Sequence, residues 1–230
     1  MRAPEERAVV IGSDLPEAET LEGLYLRAAP DEDGAGGGAI VAAPHPLYGG
    51  SMDNPVVSEL AHAAGKAGMA SLRFNWRGVG ASAGARSGDL RYAALDCAAA
   101  LAQIAETVEG PLVASGYSFG AAALTRLAAL ATRDAGLGAR VQWPRVRRLL
   151  LVAPPPAMLE GDALAAFRGS VLVVGAEHDD IAPPAELERL AGRLPRARFV
   201  RIEEADHFFG AGLGPLGREA SAWLGAPTGS

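Results

Sequence analysis

Apolar residues in this chain fall into short uninterrupted runs separated by longer segments in which they recur at helical spacing. Ala39, Ile40, Val41, Ala42 and Ala43 form one such run, the pattern of a strand buried on both faces of a parallel sheet. Ahead of it, 9–11 and 21–28 read as strands, the second alternating Leu24 and Leu26 with Tyr25 and Arg27. The polar, glycine-rich stretch 31–38 reads as a hairpin loop. Beyond Ala43 the two periods alternate: helix 55–67, strand 69–74, helix 90–108, strand 112–115, helix 119–132 and strand 148–153. Strand 171–174, helix 184–194, strand 198–202 and helix 216–224 follow. This predicts an α/β fold, a mostly parallel sheet with helices on both faces. Between 153 and 171 there is room for one short helix, 163–167, and not for a large cap domain. With no repeat and no long linker, residues 1–226 are expected to form a single domain, with 227–230 as a disordered tail.

Parallel sheets offer ligands the carboxyl ends of their strands, and those ends are chemically unusual here. They carry Pro44-His45-Pro46-Leu47-Tyr48-Gly49-Gly50, then Asn75-Trp76-Arg77-Gly78-Val79-Gly80. Later ends carry Gly175-Ala176-Glu177-His178-Asp179-Asp180 and Glu203-Glu204-Ala205-Asp206-His207-Phe208-Phe209. A fifth end is Gly116-Tyr117-Ser118-Phe119-Gly120, a G-x-S-x-G pentapeptide between a strand and a helix. A turn that tight crowds its neighbours, so small residues are wanted two before and two after the serine. With 29 glycines the pentapeptide arises readily by chance, and Gly80-Ala81-Ser82-Ala83-Gly84 matches it too. Ser82 lacks the following helix, so Ser118 is the expected nucleophile.

A serine hydroxyl needs a base, and the base needs an orienting group. His207 is the expected base; His62 reads as structural, His45 as rigidly held between prolines, and His178 as a neighbour of the acids. Asp179 is the expected acid, with Asp180 and Glu177 as alternatives; one aspartate of the pair could instead cap the helix that follows. The order Ser118, Asp179, His207 differs from both the chymotrypsin and subtilisin orders. An oxyanion needs fixed N–H donors. Phe119, at a helix start, should supply one; the other falls to Leu47 or Tyr48, since Pro44 and Pro46 have none. His45, Tyr48, Trp76 and Tyr117, with Met158, are expected to line the substrate site.

Composition narrows the alternatives. A net charge of −6 carries no nucleic-acid footprint. The one basic cluster, Arg140 to Arg148 with Arg145 and Arg147, reads as a solvated turn. Cys97 is the only cysteine, so no intramolecular disulfide forms and a reducing, cytoplasmic setting is expected. The N-terminus lacks the apolar core of a signal peptide, and no run approaches a membrane span. Gly78-Val79-Gly80-Ala81-Ser82-Ala83 fits a dinucleotide fingerprint, but no helix opens at Ala83, so no cofactor is expected. His178, Asp179 and Asp180 are adjacent and cannot all face one ion, so no metal is expected either.

Four ordered blocks carry a resemblance. They are 44–52, 73–82, 116–120 and 205–209, and the chain from about Ala39 to Leu224 resembles the α/β-hydrolase superfamily. Within it, the chain is similar to a compact bacterial group of lidless hydrolases. Ala43 departs from that pattern, which would place a histidine there. The resemblance implies an α/β-hydrolase fold, Ser118, Asp179 and His207 as the triad, and the segment around Ser82 as the loop after the fourth strand. It implies a serine-hydrolase mechanism and leaves the substrate open. The room for only a short helix between 153 and 171 predicts an open site and an esterase acting on a small-molecule ester with a small or short acyl group, and a monomer or homodimer with no membrane partner is expected. A thioesterase or amidase would use the same triad, and a non-catalytic binding protein on this fold is the rival class.

Overall fold

The computed structural model describes residues 6–27 and 36–227. Eight strands form one sheet: β1 (Glu6–Ile11), β2 (Leu21–Leu26), β3 (Gly38–Ala42), β4 (Ala70–Phe74), β5 (Leu112–Tyr117), β6 (Val146–Val152), β7 (Ser170–His178) and β8 (Ala197–Asp206). Their spatial order is β1-β2-β4-β3-β5-β6-β7-β8. β1 and β2 are antiparallel, as are β2 and β4, and every later pair is parallel. The helices are α1 (Pro55–Lys66), α2 (Leu90–Ala105), α3 (Phe119–Arg133), α4 (Ala135–Arg140), α5 (Gly161–Ala166), α6 (Pro184–Ala191) and α7 (Leu213–Gly225). α1 packs with α7, and α2 with α3, in layers covering the sheet. Only α5 and a short turn separate β6 from β7, so no cap domain covers the sheet's carboxyl edge.

Sequence explains the layering. β3, β4 and β5 are buried at every position because each lies inside the sheet with helices over it. α2 and α3 bury runs of alanine (Ala98, Ala99, Ala100; Ala121, Ala122, Ala123), which let their backbones lie close to the sheet. Asn54 caps α1 just before Pro55, and Asp89 caps α2, each through its side-chain oxygen. Among the described residues no helix is long and apolar enough to cross a membrane. Cys97 is fully buried in α2.

Several readings change. β2 and β3 are not hairpin partners, because β4 lies between them; the intervening residues 28–35 lie outside the described residues, as do 1–5 and 228–230. β7 and β8 run well past their apolar cores, through Glu177, His178, Glu203 and Glu204. At those ends the strands outreach the helices, so hydrogen bonding continues without apolar burial and the sequence period disappears. α4, glycine-rich and capped by Asp134, escaped the pattern altogether. His62 is exposed on α1. The arginines of 140–148 are not all solvated either. Arg145 donates to the carbonyl of Ala105 at the end of α2 and to those of Val108 and Gly110 beyond it, and buried Arg148 to those of Trp223, Leu224 and Ala226 at the end of α7. Each satisfies helix-terminal carbonyls that would otherwise lack donors.

Candidate active site

β5 ends in Tyr117, and Ser118 turns the chain into α3 with φ 53° and ψ −117°, a conformation unfavourable for any residue with a side chain. The neighbours explain why it persists. A Cβ on Gly116 would stand 2.6 Å from the Gly120 carbonyl carbon, and one on Gly120 would stand 2.4 Å from the Ala42 carbonyl oxygen. The first contact closes the turn; the second wedges α3 against the end of β3. The Ser118 amide donates to the Val152 carbonyl at 2.8 Å, tying the elbow to β6.

Ser118 Oγ lies 3.0 Å from His207 Nε2, and Asp179 Oδ2 lies 2.8 Å from His207 Nδ1. A carboxylate can only accept, so Nδ1 carries the ring proton and Nε2 is left to accept from the serine. The other Asp179 oxygen accepts from the amides of Ile181 and Ala182 at 2.9 and 2.7 Å. Burial by itself would raise the Asp179 carboxyl; the hydrogen bonds from His207, Ala182 and Ile181 and the attraction of His207 outweigh it and hold the group below its ordinary value. One aspartate thus serves both the histidine and the turn, while Asp180 is exposed and α6 has no side-chain cap. Glu177 is engaged elsewhere, accepting the Glu204 amide at 2.9 Å, with exposed His178 3.8 Å away.

His207 is held from its own backbone as well. The Tyr117 hydroxyl donates to the His207 carbonyl at 2.7 Å, and Phe209 packs edge-on to the Tyr117 ring. Burial and the nearby Asp179 and Asp206 carboxylates push the Tyr117 phenol well up, so it stays a donor. At 2% exposure Tyr117 offers no surface to a substrate; it positions the histidine instead of lining the site. Trp76 is corrected in the same way. It is 1% exposed, donates its indole N–H to the Pro44 carbonyl at 2.9 Å, and packs edge-on to Phe74 and Phe119 beneath the 44–50 loop. Met158 is half-buried against the core.

The 44–50 loop also differs from expectation. Pro46–Tyr48 forms a 3-10 turn capped by His45. The Leu47 amide donates to His45 Nδ1 at 3.2 Å, and the Tyr48 amide to the His45 carbonyl at 3.1 Å. Both expected oxyanion donors are therefore engaged inside the loop, because a histidine before a proline makes a turn cap. Phe119, first in α3, has no intrahelical acceptor for its amide. The His45 ring lies 4.5 Å from that of Phe119 and 4.8 Å from that of Tyr48, and partial burial lowers its pKa, in keeping with an unprotonated Nδ1.

The large exposed hydrophobic residues add a feature the sequence reading missed in part. They are Val10, Leu47, Tyr48, Ile181 and Phe208, and all but Val10 sit on loops at this edge. Tyr48 is 88% exposed and Phe208 71%. The Tyr48 ring lies tilted against His45 from the β3 side and Phe208 meets His207 edge-on from the β8 side, so an apolar rim flanks Ser118. Ile181 and Phe208 directly follow the acid and base segments, and large apolar residues at such loop positions were the available signal.

No family model matches the chain. It is 27% identical over 201 residues to an uncharacterized protein of Rickettsia prowazekii, covering 82% of this chain and 77% of the relative. A serine-hydrolase homologue of Coxiella burnetii superposes with a TM-score of 0.78 at 28% identity, covering 95% of this chain and 97% of that one. A serine hydrolase without a lid from Xanthomonas campestris gives 0.73 at 28% identity over 99% of each chain.

Proposed function

We propose, from the premise that this chain belongs to the α/β-hydrolase superfamily in its compact lidless form, that it is a serine hydrolase of carboxylic esters with small or short acyl groups. The observation that carries the reading is the continuous chain Ser118 Oγ, His207, Asp179, with hydrogen-bond distances of 3.0 and 2.8 Å. In this reading Ser118 Oγ attacks the ester carbonyl carbon while His207 Nε2 takes its proton. Asp179 keeps the ring oriented and stabilises the imidazolium. The oxyanion takes the Phe119 amide and the Leu47 amide, the latter exchanging His45 Nδ1 for the substrate oxygen. His207 returns the proton to the departing alkoxide, leaving an acyl group on Ser118. Water, deprotonated by His207, then releases the acid and restores the serine.

The short α5 connection leaves the site open, and the rim of Leu47, Tyr48, Ile181 and Phe208 supports contact with an apolar group of modest size. Comparing p-nitrophenyl acetate and butyrate with long-chain lipid emulsions tests the assignment. Faster turnover of the short esters is expected; strong preference for the emulsions, or no turnover of either short ester, overturns it.

A further inference from the structure

A second concentration of charge lies at the opposite edge of the sheet. The amino-terminal ends of β6, β7 and β8 and the last turn of α7 enclose a cleft of about 800 Å³, within the range of about 300–1,000 Å³ that holds small-molecule ligands. Arg147, Arg148, Arg168, Arg196 and Arg198 line it, and among the described residues no aspartate or glutamate does. For a chain with net charge −6 this inverts the average surface.

The five arginines are not equivalent. Arg148 is committed to the α7 carbonyls, its guanidinium 5.3 Å from the Trp223 ring centroid. Arg198 pairs with Glu219 at 3.2 Å, and Arg196 donates to the Arg168 carbonyl. Arg147 and Arg168 have no side-chain hydrogen bond or ion pair among the described residues. The backbone brings the turn that carries Arg168 against Arg147 at the start of β6. A Cβ on Gly169 would stand 2.2 Å from the Arg147 carbonyl oxygen, so only glycine lets this turn run against the start of β6. Ser170 then enters the sheet in register with Arg148, while Arg196 braces the Arg168 carbonyl from outside.

Like charges without a counter-charge, as at Arg147 and Arg168 among the described residues, repel one another and weaken the fold locally. A dianion bridging Arg147 and Arg168 reverses that sign, and guanidinium forks match phosphate oxygens in two-point contact. A phosphate monoester carries about −1.5 to −2 near neutral pH, which the two positive guanidinium groups of Arg147 and Arg168 can balance. Trp223 lines the same cleft as an aromatic surface. We propose that this cleft binds a small phosphorylated ligand, its phosphate on Arg147 and Arg168 and its apolar part along Trp223.

Isothermal titration calorimetry with phenyl phosphate at low ionic strength tests this, with inorganic phosphate and benzoate as separate arms. Saturable binding is expected for phenyl phosphate, weaker binding for inorganic phosphate, and none for benzoate. The Arg147→Gln/Arg168→Gln double variant, with its fold checked by circular dichroism, should lose at least about tenfold in affinity. Ser118→Ala should bind as wild type does, which separates this site from the ester-hydrolase reading. No saturable phenyl phosphate binding, or binding equal in the double variant, overturns the proposal.

Discussion

Ser118 and Ser82 occupy the same pentapeptide pattern and are equally hidden, each 8% exposed; what differs is where the backbone strain sits and what the hydroxyl touches. In 80–84 the glycines take the left-handed conformations, Gly80 at φ 58° and Gly84 at φ 81°, and the serine is relaxed. In 116–120 the serine is itself at φ 53°, and its glycines are required by close packing. The Ser82 hydroxyl donates to the Asn75 carbonyl at 3.0 Å and accepts the Glu22 amide at 2.9 Å. Both its donor and its acceptor roles go into tying the 80–84 loop to β2 and to the residue after β4. Among the described residues the Ser118 hydroxyl hydrogen-bonds only to a histidine nitrogen. In the proposed reaction, strain on the serine together with a basic partner belongs to the attacking hydroxyl, and relaxed geometry with main-chain partners to a structural one.

Substitutions at paired positions sharpen the contrast. Ser118→Ala should lower kcat for a short ester on the order of 10⁶-fold while the melting temperature barely moves. Ser82→Ala should keep kcat within about tenfold yet cost about 1–3 kcal/mol of stability by urea unfolding, because the Glu22 amide loses its acceptor. Asp179→Asn should lower kcat by about 10⁴-fold through the wrong histidine tautomer. Its exposed neighbour gives the control, Asp180→Asn being expected to match wild type. The glycines separate as well. Gly120→Ala, facing main chain at 2.4 Å, should yield little folded protein, whereas Gly84→Ala, facing the flexible Glu19 side chain, should cost about 1–2 kcal/mol.

The smallest effect concerns acid. The Asp179 carboxyl is held below its ordinary value in the fold, so it stabilises the protein above the unfolded-state value of about 3.9 and loses that contribution as pH falls through the lowered one. The melting-temperature gap between wild type and Asp179→Asn should therefore narrow below about pH 4. A gap that widens on acidification would contradict the sign.

Much of the layout was legible because buried parallel strands and alanine-rich helices carry their periods openly; β3, β5 and α3 lie within a residue or two of their expected spans. The order of Ser118, Asp179 and His207 was legible too, since each follows a strand. What failed shares a physical cause: contacts between segments distant in sequence leave no local period. Whether Trp76 and Tyr117 line a site or lie beneath it depends on partners at Pro44 and His207. Arg148 reads as solvated until α7 folds back to present its carbonyls. The Leu47 amide is the exception: its capture by His45 is local, and was readable from the histidine preceding Pro46.

Labelling with a fluorophosphonate, read by peptide mass spectrometry, tests the central claim most directly. A single adduct on the peptide containing Ser118 is expected, retained in Ser82→Ala and absent in Ser118→Ala. An unlabelled wild type, or an adduct that survives Ser118→Ala, would contradict the account.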